Sequence, residues 1–166
     1  IQNSPNYNTM SSIALSNYTG LFVCCSGNKY DHDLNSSTPD ITIDIDNTQY
    51  YCYPATLTNS NILVVTGTNA DDTLNSSCSW GATSVDLAAP AAAFSTTNTS
   101  TSSYNGYYVG SSCSTAFVSG VAALMLSVNP KLTTAQLKNL IMSTVDTRSS
   151  LSGKCVTGGR LNAYKA

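Results

Sequence analysis

Gly110-Ser111-Ser112-Cys113-Ser114-Thr115-Ala116-Phe117-Val118-Ser119-Gly120, running straight into Val121-Ala122-Ala123-Leu124-Met125-Leu126, decides how this 166-residue chain is read. A glycine and a cluster of hydroxyls stand at the mouth of a helix with apolar residues on every face. A helix apolar all round is expected to be buried. Its N-terminus is then a fixed point where unpaired backbone N–H groups meet a serine. That is a place to build a nucleophile. The simpler alternative is a helix start whose serines only cap the backbone, a common use of serine.

Composition narrows the options. A single domain of 166 residues, 1–166, buries a sizeable core. Charged residues are only 10% of the chain, and polarity is carried by 25 Ser, 21 Thr and 16 Asn. The net charge of -2 leaves no basic patch for nucleic acid or anionic lipid. No stretch reads as long enough for a membrane span, and no basic segment followed by an apolar run opens the chain. Four sequons, at Asn17, Asn35, Asn75 and Asn98, agree with a secreted, cell-surface or endomembrane-lumen glycoprotein. Six cysteines (24, 25, 52, 78, 113 and 155) and one histidine form no zinc pattern. Disulfides are open to them in an oxidising compartment, and buried free thiols are equally open for Cys24 and Cys25.

Along the chain, apolar spacing predicts a short helix from Tyr7 to Asn17, ended by Gly20. Leu21–Cys25 and Ile62–Thr66 read as fully buried strands, and Val85–Ala89 as a shorter third. Residues 29–50 read as a polar loop excursion, and Ala91–Val109 as a long loop leading to Ser112. Asn129-Pro130 stops the helix begun at Ser112. Thr133-x-x-Gln136 is a capping box that opens another helix, to about Val145, with Lys138 on its outer face. Gly158-Gly159 opens a short C-terminal helix, Arg160 to Lys165. Strands alternating with helices predict an α/β fold with a mainly parallel sheet and flanking helices.

Five segments carry a resemblance, in chain order. They are Phe22-Val-Cys-Cys-Ser-Gly27-Asn28, Tyr53-Pro54-Ala55, Asp86-Leu-Ala-Ala-Pro90, the Gly110–Gly120 segment and Gly158-Gly-Arg-Leu-Asn-Ala163. Together they resemble the C-terminal half of the subtilisin-like serine protease domain, whose nucleophile segment reads Gly-Thr-Ser-Met-Ala-Ser/Thr-Pro-His-Val-Ala-Gly. Alignment on Val118 and Gly120 puts the nucleophile on Ser112. The chain departs from the pattern at Ser111, Cys113, Ser114, Ala116 and Phe117, and at Ala91 after Pro90. The resemblance implies that Asn28 donates to the oxyanion, a task suited to a neutral amide. It implies a cis proline at Pro54, and a primary pocket lined by Cys25, Ser26, Gly27, Cys52, Tyr53 and Pro54. Cys52 stands where relatives often carry glycine, which implies a shallower pocket for small or medium side chains.

What the resemblance leaves out matters equally. The triad Asp and His of this family lie on segments before the helix with which this chain opens, so the fold is expected to be incomplete, its N-terminal half absent. The single histidine lies in Asp31-His32-Asp33. Adjacent residues do not easily form a triad, because the carboxylate must face the imidazole's other nitrogen. The expected function is therefore a serine endopeptidase acting on polypeptides through an acyl-enzyme on Ser112, as part of a longer chain. The rival is a catalytically inactive binding or adhesive module of the same fold. An α/β-hydrolase elbow needs Gly-x-Ser-x-Gly, and Gly110-Ser-Ser-Cys-Ser114 lacks the second glycine. No cofactor is implied. Calcium is common in the family, with Asp86 or the Asp44/Asp46 loop as places for it, and no run has a dedicated calcium-loop spacing.

Overall fold

The computed structural model describes residues 5–28, 43–47, 52–97, 100 and 102–166. The element order is α1 (Pro5–Asn17), β1 (Phe22–Cys25), β2 (Ile62–Thr68), β3 (Leu87–Pro90), β4 (Ala92–Thr96), β5 (Tyr104–Val109), α2 (Ser111–Val128), α3 (Thr134–Ser143), β6 (Asp146–Thr147) and β7 (Gly159–Arg160). A five-stranded sheet runs β1-β2-β3-β7-β6. Its first four strands are parallel and β6 is antiparallel to β7. This is the expected α/β architecture.

β2 is buried along its whole length, as its unbroken apolar run predicts for a central strand covered on both faces. Ile62 and Val64 face a cluster with Ile43, Ile45, Val85, Leu151 and Cys155. Leu63 and Val65 face the opposite way, onto Val118, Val121, Ala122 and Met125 of α2 and Leu137 and Ile141 of α3. The alternation of one strand thus builds two cores. α3 carries the full capping box, with Thr133 Oγ1 accepting from Gln136 N and the Gln136 side chain accepting from Thr133 N.

Several expectations change. β1 is half-buried except at Cys24, because among the described residues it ends the sheet and pairs with β2 on one side. The stretch read as a long loop before Ser112 contains the antiparallel pair β4–β5, with a register shift between Ala93 and Ser95. The strand-favouring aromatics in it, such as Phe94 and Tyr104, are diluted by surrounding Ser and Thr. The expected C-terminal helix from Arg160 is instead strand β7 and a turn. Val156 N, Thr157 N and Leu161 N donate to the carbonyls of Val85, Asp86 and Ala88, so that backbone is committed to the sheet. α2 has 18 residues with mean hydropathy 1.5, which reaches the length and composition of a membrane span. Here it lies on the sheet, its inner face on Leu63, Val65 and Leu87. It is not buried all round: Phe117 (42% exposed), Leu124 (65%) and Val128 (86%) face outward.

Candidate active site

The site forms where the end of β1 meets the start of α2. After Cys25, Ser26 N still donates to Val65 O at 2.9 Å, extending the parallel ladder by one residue. Gly27 then turns the chain at φ 92°, and Asn28 pairs with Cys78 in an isolated bridge. Glycine is required at 27 for two reasons. Its φ is left-handed, and a Cβ there would lie 2.8 Å from Cys52 Sγ. The close approach brings the Cys52–Pro54 turn against the strip that ends β1. The Tyr53–Pro54 bond is cis, as the resemblance implied.

Gly110 is the N-cap of α2, at φ 145°, and has no side chain of its own with which to cap the helix. The serines that follow have other partners. Ser111 is fully buried. Its N–H donates to Asn28 Oδ1 at 3.0 Å, and its Oγ lies 2.9 Å from Gly27 O and 3.0 Å from Asn28 Oδ1. One hydroxyl proton is thus shared between two acceptors. Because a main-chain N–H can only donate, the atom it meets on Asn28 is the carbonyl oxygen. The planar amide then has Nδ2 as its donor end. Ser114 is also buried, its Oγ 3.1 Å from Ala89 O and 3.0 Å from Pro90 O, which ties α2 to the end of β3.

Ser112 differs from both neighbours. It is exposed, in the first turn of α2, and among the described residues its Oγ makes no hydrogen bond. Its own N–H belongs to the first turn, where a helix has no internal acceptor. Capping therefore does not account for this serine cluster: two of the three hydroxyls hold the fold and the third is presented to solvent. Cys113, half-buried, places its Sγ 3.5 Å from Tyr108 O.

The remaining expected site residues differ in exposure. Cys25 is half-buried, whereas Ser26 is wholly buried with its Oγ on Ser79 O at 2.6 Å. The Ser26 side chain thus faces the interior. Cys78, behind Asn28, is also buried, and burial pushes its thiol up to about 12. His32, Asp31 and Asp33 lie outside the described residues. Residue type and spacing assign Ser111 no task, although it fills the threonine place of the family's nucleophile segment, and that place was the available signal.

The calcium expectation meets occupied carboxylates. Asp46 accepts from Thr83 N (2.7 Å) and Ser84 N (2.9 Å), and Asp44 Oδ1 accepts from Asp46 N (3.1 Å). Burial opposes ionisation of Asp46, but bonds from Ser84 and Thr83 outweigh it and hold the carboxyl below its usual range. Asp86 Oδ2 accepts from Val64 N at 2.7 Å, and its Oδ1 lies 3.3 Å from Lys138 Nζ. Among the described residues no three His, Cys, Asp or Glu side chains converge on one point. These carboxylates are thus already engaged by donors of the chain itself: Asp46 by main-chain N–H groups, and Asp86 by Val64 N and Lys138 Nζ.

Comparison with known proteins agrees with the fold. The model of the subtilase family matches residues 2–159. The subtilase cytotoxin A-subunit from Escherichia coli is 46% identical over 57 residues, which are 34% of this chain and 16% of that protein. The crystal structure of the A-subunit of the AB5 toxin from E. coli superposes with a TM-score of 0.74 at 25% identity, over 96% of this chain and 53% of that one. A cold-adapted subtilisin-like serine proteinase gives a TM-score of 0.74 at 26% identity, over 98% of this chain and 52% of that one. The chain spans about half the length of both solved relatives.

Proposed function

This chain belongs to the subtilase family, and from that premise we propose that it supplies the nucleophile and the oxyanion donors of a serine endopeptidase. Ser112 Oγ attacks the scissile carbonyl carbon and passes its proton to a base outside the described residues. The carbonyl electron pair moves to oxygen, where Asn28 Nδ2 and the Ser112 N–H, at the positive end of α2, receive the charge. Collapse expels the amine, which takes the proton back from the base, and water then hydrolyses the ester on Ser112. Cys25, the Ser26 and Gly27 backbone, and Cys52 to Pro54 form the wall for the residue preceding the cut.

The observation that supports this most is the Ser111 anchor. Backbone and hydroxyl together hold the acceptor end of Asn28, so that Nδ2 is the end able to donate to an oxyanion beside an exposed serine. A serine at its free pKa is a poor nucleophile, so the chain needs a base from elsewhere in the domain. Phe117, Gly120, Leu124 and Val128 make an outward stripe on α2, and a Cβ at Gly120 would meet nothing within 4 Å. Val121, Leu124, Met125, Val128, Leu132 and Leu140 line an open apolar cleft of about 370 Å³ at its far end. In our reading the rest of a subtilase domain covers this face and brings the base. The four sequons and the cytotoxin relative support a working place outside the cytosol.

Active-site labelling decides the reading. A fluorophosphonate probe on the full-length protein is expected to label Ser112 and to fail with Ser112→Ala. The isolated chain is expected to remain unlabelled. Failure of the full-length protein to react, while folded, would leave the binding module as the better account.

A further inference from the structure

We propose that the Lys138 ammonium is the resident cation of the Asp86 site, built into the chain in place of a metal ion. The helical pattern predicts an outward Lys138, yet its side chain is only 19% exposed and that of Asp86 14%. Nζ lies 3.3 Å from Asp86 Oδ1 and 3.4 Å from Oδ2, and it also donates to the Ile62 carbonyl oxygen. A carboxylate and a main-chain carbonyl are hard oxygen donors, the kind a calcium ion takes. The carboxylate is aimed by the sheet itself, because Asp86 Oδ2 accepts from Val64 N at 2.7 Å. A divalent ion bound to the same oxygens would face the ammonium at contact range. The two cations exclude each other.

The arrangement ties three elements together: the first residue of β2, the residue preceding β3 by one, and the middle of α3. A bound metal does the same only while free metal is present, since its stabilisation follows its concentration. A lysine tethered to α3 has no such dependence, so this junction keeps its strength under chelation. The single positive charge matches the single carboxylate.

The test is the thermal midpoint of the full-length protein in EDTA and in millimolar calcium. Wild type and Asp86→Asn are expected to show the same calcium response, whatever other sites contribute. Lys138→Ala should melt several degrees lower than wild type in EDTA, and calcium should recover part of that loss. The recovery should vanish in the double variant Lys138→Ala/Asp86→Asn. A calcium response in wild type that Asp86→Asn abolishes would overturn the proposal. So would a Lys138→Ala variant as stable as wild type in EDTA, or one that calcium helps no more than wild type. Should the variants not fold, wild-type crystals grown in calcium decide: Nζ on Asp86 supports the proposal, and an ion about 2.3–2.6 Å from that carboxylate overturns it.

Discussion

At the residue scale, Ser111 and Ser112 stand in sequence yet meet different surroundings. Ser111 uses its N–H and hydroxyl to position Asn28, and only Ser112 is presented outward. On the proposed function, Asn28→Ala in the full-length protein should lower kcat with little change in KM. The expected size is that of one oxyanion-hole donor in subtilisin, about 10²–10³-fold. An unchanged kcat would make Asn28 a turn residue only. Ser111→Ala should lower kcat by about tenfold, the effect of losing roughly one hydrogen bond, and Ser111→Thr should restore it. A change confined to KM would argue against a positioning role. The cysteines should separate by burial. Burial pushes Cys24 and Cys78 up to about 12, so both stay protonated at neutral pH. Iodoacetamide at about pH 8, near the ordinary thiol range, should therefore spare them and modify the half-buried Cys25, Cys52 and Cys113 first, the last with loss of turnover because it adjoins Ser112. Peptide mass spectrometry reads the order, and equal labelling of Cys78 would contradict it.

At the scale of elements, β2 and α3 were legible because each carries its whole signal locally. β2 is an unbroken apolar run, and α3 opens on reciprocal side-chain and backbone bonds within four residues. Thr133→Ala should cost about 1 kcal/mol, as the loss of an N-cap usually does, measured by denaturant unfolding. No change would mean that the helix start is held by packing alone. β5, β7 and the outward face of α2 were not legible. β7 is two residues whose neighbours bond to β3, and β5 sits among serines and threonines that pattern like a loop. The composition of α2 reports hydrophobicity but not which partner covers each side.

Across the whole molecule, a charged cluster closes the β7–β6 side of the sheet. Lys165, Asn162 and Arg160 donate to Asp146, and Arg148 and Arg160 donate to Asp72. Lys165 first, then Asn162, hold Asp146 far below the ordinary carboxylate range, and Arg148 foremost holds Asp72 below it. Carboxyls depressed in the folded state stabilise it fully above the unfolded value, near about pH 4. That contribution is lost as pH falls through the folded values, because the unfolded chain takes up protons first. Stability should therefore drop as pH falls below about 4, with a shallower drop in Asp146→Asn. Parallel stability–pH curves for the two proteins would show that this cluster does not set the acid limit.

By itself the sequence determined the α/β class, the capping box, the central strand and the order of motifs that includes Ser112. Each depends on neighbours a few residues apart, where spacing and residue type act directly. Only the tertiary structure decided that Ser111 anchors Asn28 across 83 positions and that Lys138 turns inward to Asp86 across 52. It also turned Arg160 into a strand residue, through the Leu161 N–H on Ala88 O and the Arg160 guanidinium on Asp72 and Asp146. A long polar side chain has no fixed direction in a sequence pattern. Its direction is set by the carboxylates and carbonyls that the fold brings within its reach.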